Sequence, residues 1–194
     1  PFVLSKLLPL LKKTHPDLSL DIHEGQSEQI YQQLMHGQLD VVLLALPYDM
    51  RSVETHFLWQ DEFRLISAQN SQWLSHKPFD LEVVADGSVL LLEDGHCLRD
   101  HALSACHIKH IDKVSQLASS SLLTLVELVK QDLGISFVPE MALQSPLFQQ
   151  VGLKVEALPF EASREIGLAW RQSSTRGEEF KQLGELIKKA CQVS

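Results

Sequence analysis

The stretch Ser27-Glu28-Gln29-Ile30-Tyr31-Gln32-Gln33-Leu34-Met35-His36-Gly37-Gln38-Leu39-Asp40-Val41-Val42-Leu43-Leu44-Ala45-Leu46 reads as a helix running straight into a strand. Ser27 is a candidate N-cap and Gly37 a candidate C-terminal stop, which bounds a helix over Ser27 to His36. Val41 to Leu46 is apolar throughout, the pattern expected of a central strand in a parallel sheet covered on both faces. Upstream, Leu18-Ser19-Leu20-Asp21-Ile22-His23 alternates like a strand with one exposed face. Before it, Leu4, Leu7, Leu8 and Leu11 recur at helical spacing until His15-Pro16-Asp17 breaks the helix. Strand, helix and strand in succession predict an α/β architecture, not a bundle or a sandwich.

The same rhythm continues downstream. Phe63 to Ala68 and Val89 to Leu92 are expected strands. Ser121 to Leu133 is the strongest helix, with Leu122, Leu125, Val126 and Val129 on one face. Gly134 closes it, and Ile135-Ser136-Phe137-Val138 follows as a buried strand stopped by Pro139. Leu153 to Leu158 alternates, and Ile166 to Trp170 is another strand. Gly177 to Cys191 is an amphipathic helix with Lys188 and Lys189 in its last turn, where cations are favoured. The chain has no internal repeat, low-complexity tract or obvious linker, as two lobes joined by crossing strands would require.

At 194 residues the chain has room for one large domain or two small lobes, and 44% hydrophobic content is ordinary for a globular protein. No apolar run approaches bilayer length, so no membrane partner is expected. A formal net charge of −8 argues against this piece binding nucleic acid by itself, because phosphate contacts need a basic surface. The chain opens at Pro1-Phe2-Val3-Leu4 with no initiator Met and no basic-then-apolar leader. It therefore reads as a piece of something longer, with nothing marking export. Three cysteines, an odd number, suit a reducing compartment, so the cytoplasm is the expected location.

Two of those cysteines stand in one polar run, Leu91-Leu92-Glu93-Asp94-Gly95-His96-Cys97-Leu98-Arg99-Asp100-His101, continuing to Ala105-Cys106-His107. His96, Arg99 and His101 surround Cys97, and cationic neighbours favour thiolate over thiol. A thiolate is the form peroxide oxidises, and a second thiol traps the product as a disulfide. Free cysteines are more often buried hydrophobes, and Cys106, between Ala105 and His107, stays open to either reading. Cys191, near the end of the last helix, is read as incidental. His96, Cys97, His101, Cys106, His107 and His110 also offer ligands for zinc or copper. Their spacing matches no standard finger, and neither a metal nor any other cofactor is assigned. There is no Cys-x-x-Cys pair and no nucleophile elbow, so an enzyme is not expected.

The run Gly95-His96-Cys97-Leu98-Arg99-Asp100, with Cys106 nine positions after the first cysteine, resembles the hydrogen-peroxide-sensing OxyR branch of the LysR-type transcriptional regulators. The likeness extends to Leu7-Leu8-Pro9-Leu10-Leu11, His23-Glu24-Gly25-Gln26-Ser27, Gly37 to Leu46, Leu133 to Pro139 and Ile166 to Arg171. It therefore covers nearly the whole chain. The resemblance implies two Rossmann-like lobes of the periplasmic-binding-protein-like (type II) LysR effector kind. Residues 1–60 and 164–194 would form lobe I, and residues 61–163 lobe II with the redox cysteines. It implies an N-terminal DNA-binding domain and a strand before Pro1, both outside this chain, so that DNA is contacted only through that domain.

By the same resemblance Cys97 is the peroxide-reactive cysteine, Cys106 resolves it, and the disulfide changes conformation and DNA binding. Ser27 matches a hydroxyl that contacts peroxide, with His96, Arg99 and Asp100 in the pocket or activating the thiolate. Hydrogen peroxide, a homodimer or homotetramer and a cellular thiol reductant are the implied partners. The alternative is a LysR-type or solute-binding domain for a small organic effector. Ser119-Ser120-Ser121 at a helix start would then suit a carboxylate.

Residue chemistry sharpens these expectations. If His96 to Ala105 forms a turn and a short helix, Cys97 and His101 share a face while Arg99 points elsewhere. Arg99 is permanently charged and suits a thiolate or a peroxide oxygen, whereas its plain role is an ion pair with Asp94 or Asp100. Asp100 is expected to orient Arg99. Disulfide Cα atoms must lie within about 7 Å. Nine residues of intact helix hold them about 13 Å apart. Oxidation must then melt part of the helix, and the segment from His107 to Ile111 is the expected site of rearrangement.

Overall fold

The computed structural model describes residues 2–74 and 79–192. In chain order the elements are helices α1 (Leu4–Thr14) and α2 (Ser27–Met35), strands β1 (Val41–Leu46) and β2 (Val53–Ser67), and helices α3 (Cys97–Ala105) and α4 (Leu122–Lys130). Strand β3 (Ser136–Pro139), short helices α5 (Glu140–Leu143) and α6 (Pro146–Gln149), strands β4 (Lys154–Ala157) and β5 (Ser163–Arg171), and helix α7 (Gly177–Cys191) follow. A 3-10 turn, Ile111–Lys113, lies between α3 and α4. The chain divides into two units, one of Pro1–Gln60 with Glu165–Ser194 and one of Asp61–Arg164, so β2 and β5 each pass from one unit to the other.

In the first unit the apolar stripe of α1 buries Leu7 and Leu11, and α1 packs on α7. Leu34 of α2 is fully buried with Val42 and Ala169, ringed by Ile30, Leu39, Leu44, Met50 and Val53. Trp170 of β5 meets Phe180 of α7 with ring centroids 5.5 Å apart. The Arg171 guanidinium donates to the carbonyls of Leu34 and Leu39, which ties the C-terminal end of α2 to β5.

Two sequence expectations are corrected here. β1 is not a strand of a parallel sheet: it runs antiparallel to β5, with Val41 opposite Trp170 and Leu46 opposite Glu165. The partner is a strand returning from the second unit, so no helical crossover dictates a parallel sense. Nor is β1 covered throughout, for Leu43 is 37% exposed. The segment Leu18–His23 forms no ladder among the described residues, and Leu18, Leu20 and Ile22 are all exposed. Alternation alone does not make a strand when no neighbouring backbone supplies hydrogen bonds.

The second unit has a core of its own. There β2 pairs antiparallel with β3, from Phe63 opposite Pro139 to Ile66 opposite Ser136. It also pairs antiparallel with β4, from Arg64 opposite Ala157 to Ser67 opposite Lys154. The apolar Val89–Leu92 run is buried and makes parallel bridges, Val89 to Val114 and Ile135 and Leu92 to Ser119. Phe63, Leu65, Val89, Leu91, Ile135 and Phe137 form one cluster with Ala102 and Cys106 of the α3 segment. Gly134 is required by close approach: a Cβ there would sit 2.5 Å from the Ser88 carbonyl oxygen and 2.8 Å from Leu90 Cγ.

Where β2 and β5 cross, Asp61 is 2% exposed and accepts bonds from Arg164 Nε (3.1 Å) and Nη2 (3.0 Å) and from the Met141 N–H (3.0 Å). Burial raises the Asp61 carboxyl above its usual range, and the Arg164 charge pulls the other way.

Candidate functional site

Cys97 is the first residue of α3, half-buried, with His96 as an extended N-cap (φ −88°, ψ 115°). Gly95, at φ 87°, makes the turn that lets the chain enter the helix from the Leu92 strand end. His96 is half-buried and its carbonyl accepts the Arg99 N–H at 2.8 Å. Asp100 is exposed in the first turn.

Cys106 is at the other end of the same helix. Its N–H closes α3 on the Ala102 carbonyl at 3.0 Å, and its side chain is wholly inside the core cluster. Burial pushes its thiol up to about 12. Both cysteines are free thiols, and intact α3 separates them. At 1.5 Å per residue that is about 13 Å along the axis, beyond disulfide reach.

The remaining sequence candidates fall as follows. Arg99 donates from Nη1 to the Leu92 carbonyl (3.0 Å) and from Nε to Asp94 (2.8 Å), so its head is tied back to the turn before α3. The ion pair is with Asp94, not Asp100. Ser27 is half-buried and is the first helical residue of α2; Gln26, not Ser27, occupies the N-cap position. The helix starts one residue earlier than the capping pattern suggests, and no side-chain cap bond forms there. Ser27 belongs to the first unit and the two cysteines to the second.

The extra histidines are spread apart. His107, at φ 55°, sets its ring 5.8 Å from Phe160, and His110 faces Glu82 at 3.8 Å. Among the described residues no group of three His, Cys, Asp or Glu is placed to hold a metal ion. No helix among them is long and apolar enough to cross a membrane.

Sequence reasoning missed two polar clusters. One is Asp61 with Arg164 at the crossing. The other is Asp132, at φ 56°, whose carboxylate accepts Ser71 Oγ (2.6 Å) and the Gln72 N–H (3.1 Å). Its carbonyl accepts Trp73 Nε1 at 2.9 Å. Only a register of the fold pairs such distant positions, so no local motif announces them. The burial of Cys106 did have a signal: Leu98, Ala102 and Cys106 recur every fourth residue, a core-facing stripe.

Residues 1–192 match the model of the LysR substrate binding domain. The chain is similar to the HTH-type transcriptional regulator EstR of Acinetobacter baylyi, 36% identical over 192 residues, spanning 97% of this chain and 63% of that protein. It is similar to a probable hydrogen peroxide-inducible genes activator of Mycobacterium avium, 32% identical over 199 residues, covering 100% of this chain and 64% of that protein. Among solved structures, the reduced form of the OxyR2 regulatory domain from Vibrio vulnificus superposes with a TM-score of 0.92 at 36% identity, over 98% of this chain and 90% of that one. The chain thus spans under two thirds of the length of these curated relatives.

Proposed function

The chain belongs to the LysR substrate-binding domain family, and from that premise we propose that it is the peroxide-sensing regulatory part of a cytoplasmic transcription regulator. The observation that carries the reading is the placement of the two thiols on α3. One opens the helix, partly accessible, and the other closes it inside the core. The similarity to a probable peroxide-inducible activator and to an OxyR2 regulatory domain supports it.

The chemistry is two steps. The Cys97 thiolate attacks one oxygen of hydrogen peroxide; the O–O bond breaks, sulfenic acid forms, and hydroxide leaves and is protonated to water. The Cys106 sulfur then attacks the sulfenic sulfur. An S–S bond forms, the S–O bond breaks, and the hydroxyl leaves as water with the Cys106 proton. Reset takes two electrons and two protons from a cellular dithiol, which becomes a disulfide. Ser27 and His96 are proposed to contact peroxide, with Arg99, oriented by Asp94 and the Leu92 carbonyl and not by Asp100, favouring the thiolate. DNA would be bound through an N-terminal domain outside this chain, in a homodimer or homotetramer.

The test is non-reducing peptide mapping after brief exposure to hydrogen peroxide. A Cys97–Cys106 cross-link is expected, absent in Cys97→Ser and replaced by trapped sulfenic acid in Cys106→Ser. Inertness of Cys97 would overturn the reading and return the chain to the alternative, a domain for a small organic effector.

A further inference from the structure

The second unit carries an open surface pocket of about 550 Å³ beside the redox helix, lined by Gly87, Arg99, Ile111, Asp112, Val114, Ser115 and Gln116. Its two sides come from different parts of the chain. One is the Arg99 side chain reaching from α3; the other is the segment from the 3-10 turn to Gln116. That second side is held in place by the backbone. Gly87 N–H donates to the Asp112 carbonyl (2.8 Å), Val89 N–H to Lys113 (2.9 Å), and Ser115 N–H to Val89 (2.8 Å). Lys113 adds bonds from Nζ to the Val84 carbonyl (2.7 Å) and to Asp86 (3.0 Å).

The lining combines one guanidinium, one carboxylate, a hydroxyl and a carboxamide with two aliphatic side chains. Arg99 is 14% exposed, so its charge is partly withdrawn from water. Its bonds to Leu92 and Asp94 take two of the five N–H donors a guanidinium carries, and Asp94 is 93% exposed, hence readily displaced. A carboxylate is the partner that fits a guanidinium edge in two-point fashion. Asp112 on the same pocket disfavours a simple anion and favours a ligand that also carries a positive group. Ile111 and Val114 supply apolar wall for a short carbon frame.

We propose that this pocket is a binding site for a small amino-acid-like zwitterion, its carboxylate on Arg99 and its ammonium on Asp112. The site shares Arg99 with the proposed thiol chemistry but does not rest on it. It adjoins α3, however, so occupancy would hold Arg99 against the first turn of the redox helix.

The probes are L-serine, propionate (carboxylate alone) and ethylammonium (cation alone), titrated into the 15N-labelled chain carrying Cys97→Ser. That background removes thiol oxidation, so failure here is separate from failure of the peroxide reading. L-serine should give saturable shifts at Gly87, Val114, Ser115 and Gln116 with a dissociation constant of about 1 mM. Propionate and ethylammonium should each bind about tenfold more weakly. Asp112→Asn should reduce L-serine to the level of propionate, and Arg99→Met should abolish both. If Arg99→Met does not fold, Gln116→Leu and Asp112→Asn still decide the matter. Absence of saturation for every probe overturns the site. Equal affinity for propionate and L-serine, or L-serine binding untouched by Asp112→Asn, overturns the zwitterion.

Discussion

Replacing Ala102 by glycine isolates the step on which the proposed disulfide depends. Ala102 is 1% exposed on α3, inside the cluster that holds Cys106. Its methyl is present in the core only while α3 is wound, and losing it removes about 0.8 kcal/mol of burial. Glycine lowers helix propensity by about 1 kcal/mol more. The unwound segment loses neither contribution, so the balance shifts toward it by about 1.8 kcal/mol, about twentyfold in population. Closing the disulfide requires that unwound form, because wound α3 keeps the sulfurs about 13 Å apart. Quenched-flow oxidation with a dimedone trap and mass spectrometry reads the two steps separately. The sulfenic acid at Cys97 should live about ten to twenty times less long in Ala102→Gly. Its rate of formation should stay within about twofold, since no group at the helix start has changed. An unchanged sulfenic acid lifetime, or acceleration of the first step alone, would refute the argument that α3 unwinding limits closure.

Burial of the Cys106 thiol also makes stability depend on pH. Its folded value of about 12 lies above the ordinary thiol value of 9.0, so the folded state retains the proton longer. The stabilisation is fully present below about pH 9 and is lost as pH rises toward 12. Urea midpoints should fall more steeply above pH 9 in the parent than in Cys106→Ala. At the strand crossing, Arg164→Met leaves the Asp61 carboxylate buried without its partner and should cost about 3–5 kcal/mol in urea unfolding. Asp61→Leu combined with Arg164→Met should recover much of that loss; equal loss in the double variant would argue against a buried-charge penalty. Gly134→Ala forces a Cβ onto the Ser88 carbonyl and Leu90, and should cost about 1–3 kcal/mol, measured as a lower thermal midpoint.

The helices were the most legible part of the fold, since each carries its own period. Leu7 and Leu11 in α1, Leu125, Val126 and Val129 in α4, and Phe180 and Ile187 in α7 are all buried, as the apolar spacing predicted. Strand positions were legible and strand partners were not. Val41–Leu46 announces a strand by composition, yet its antiparallel sense depends on β5, which lies far along the chain. The early part of β2, from Val53, hid because Glu54, His56 and Gln60 interrupt its apolar pattern while it bridges the two units. At the candidate site, the sequence reading supposed a turn and short helix over His96 to Ala105, and α3 spans Cys97–Ala105. The engagement of Arg99 with Leu92 could not be read, because side-chain reach back along the chain has no sequence period.

The ties around α3 also set how far a rearrangement can spread. At its start, Arg99 bonds to the Leu92 carbonyl, whose strand is held by parallel bridges to Val114, Ile135 and Ser119. Past its end, Lys113 is fixed to Val84 and Asp86, and Val89 exchanges backbone bonds with Lys113 and Ser115. Between those anchors the chain has fewer restraints: Ile108 N–H bonds to Leu103, and His107 sits at positive φ, a conformation that costs a non-glycine residue about 1–2 kcal/mol. Unwinding α3 relieves that cost and frees Cys106, while the bridges at Val89 and Leu92 lie outside the unwound stretch. The cheapest path to a disulfide is therefore confined to residues 97–111. Hydrogen exchange on oxidation should rise there and stay unchanged at Val89, Leu90, Val114 and Ser115. Loss of protection at Val89 and Val114 would mean that the parallel core opens too, and that the helix alone does not hold the two sulfurs apart.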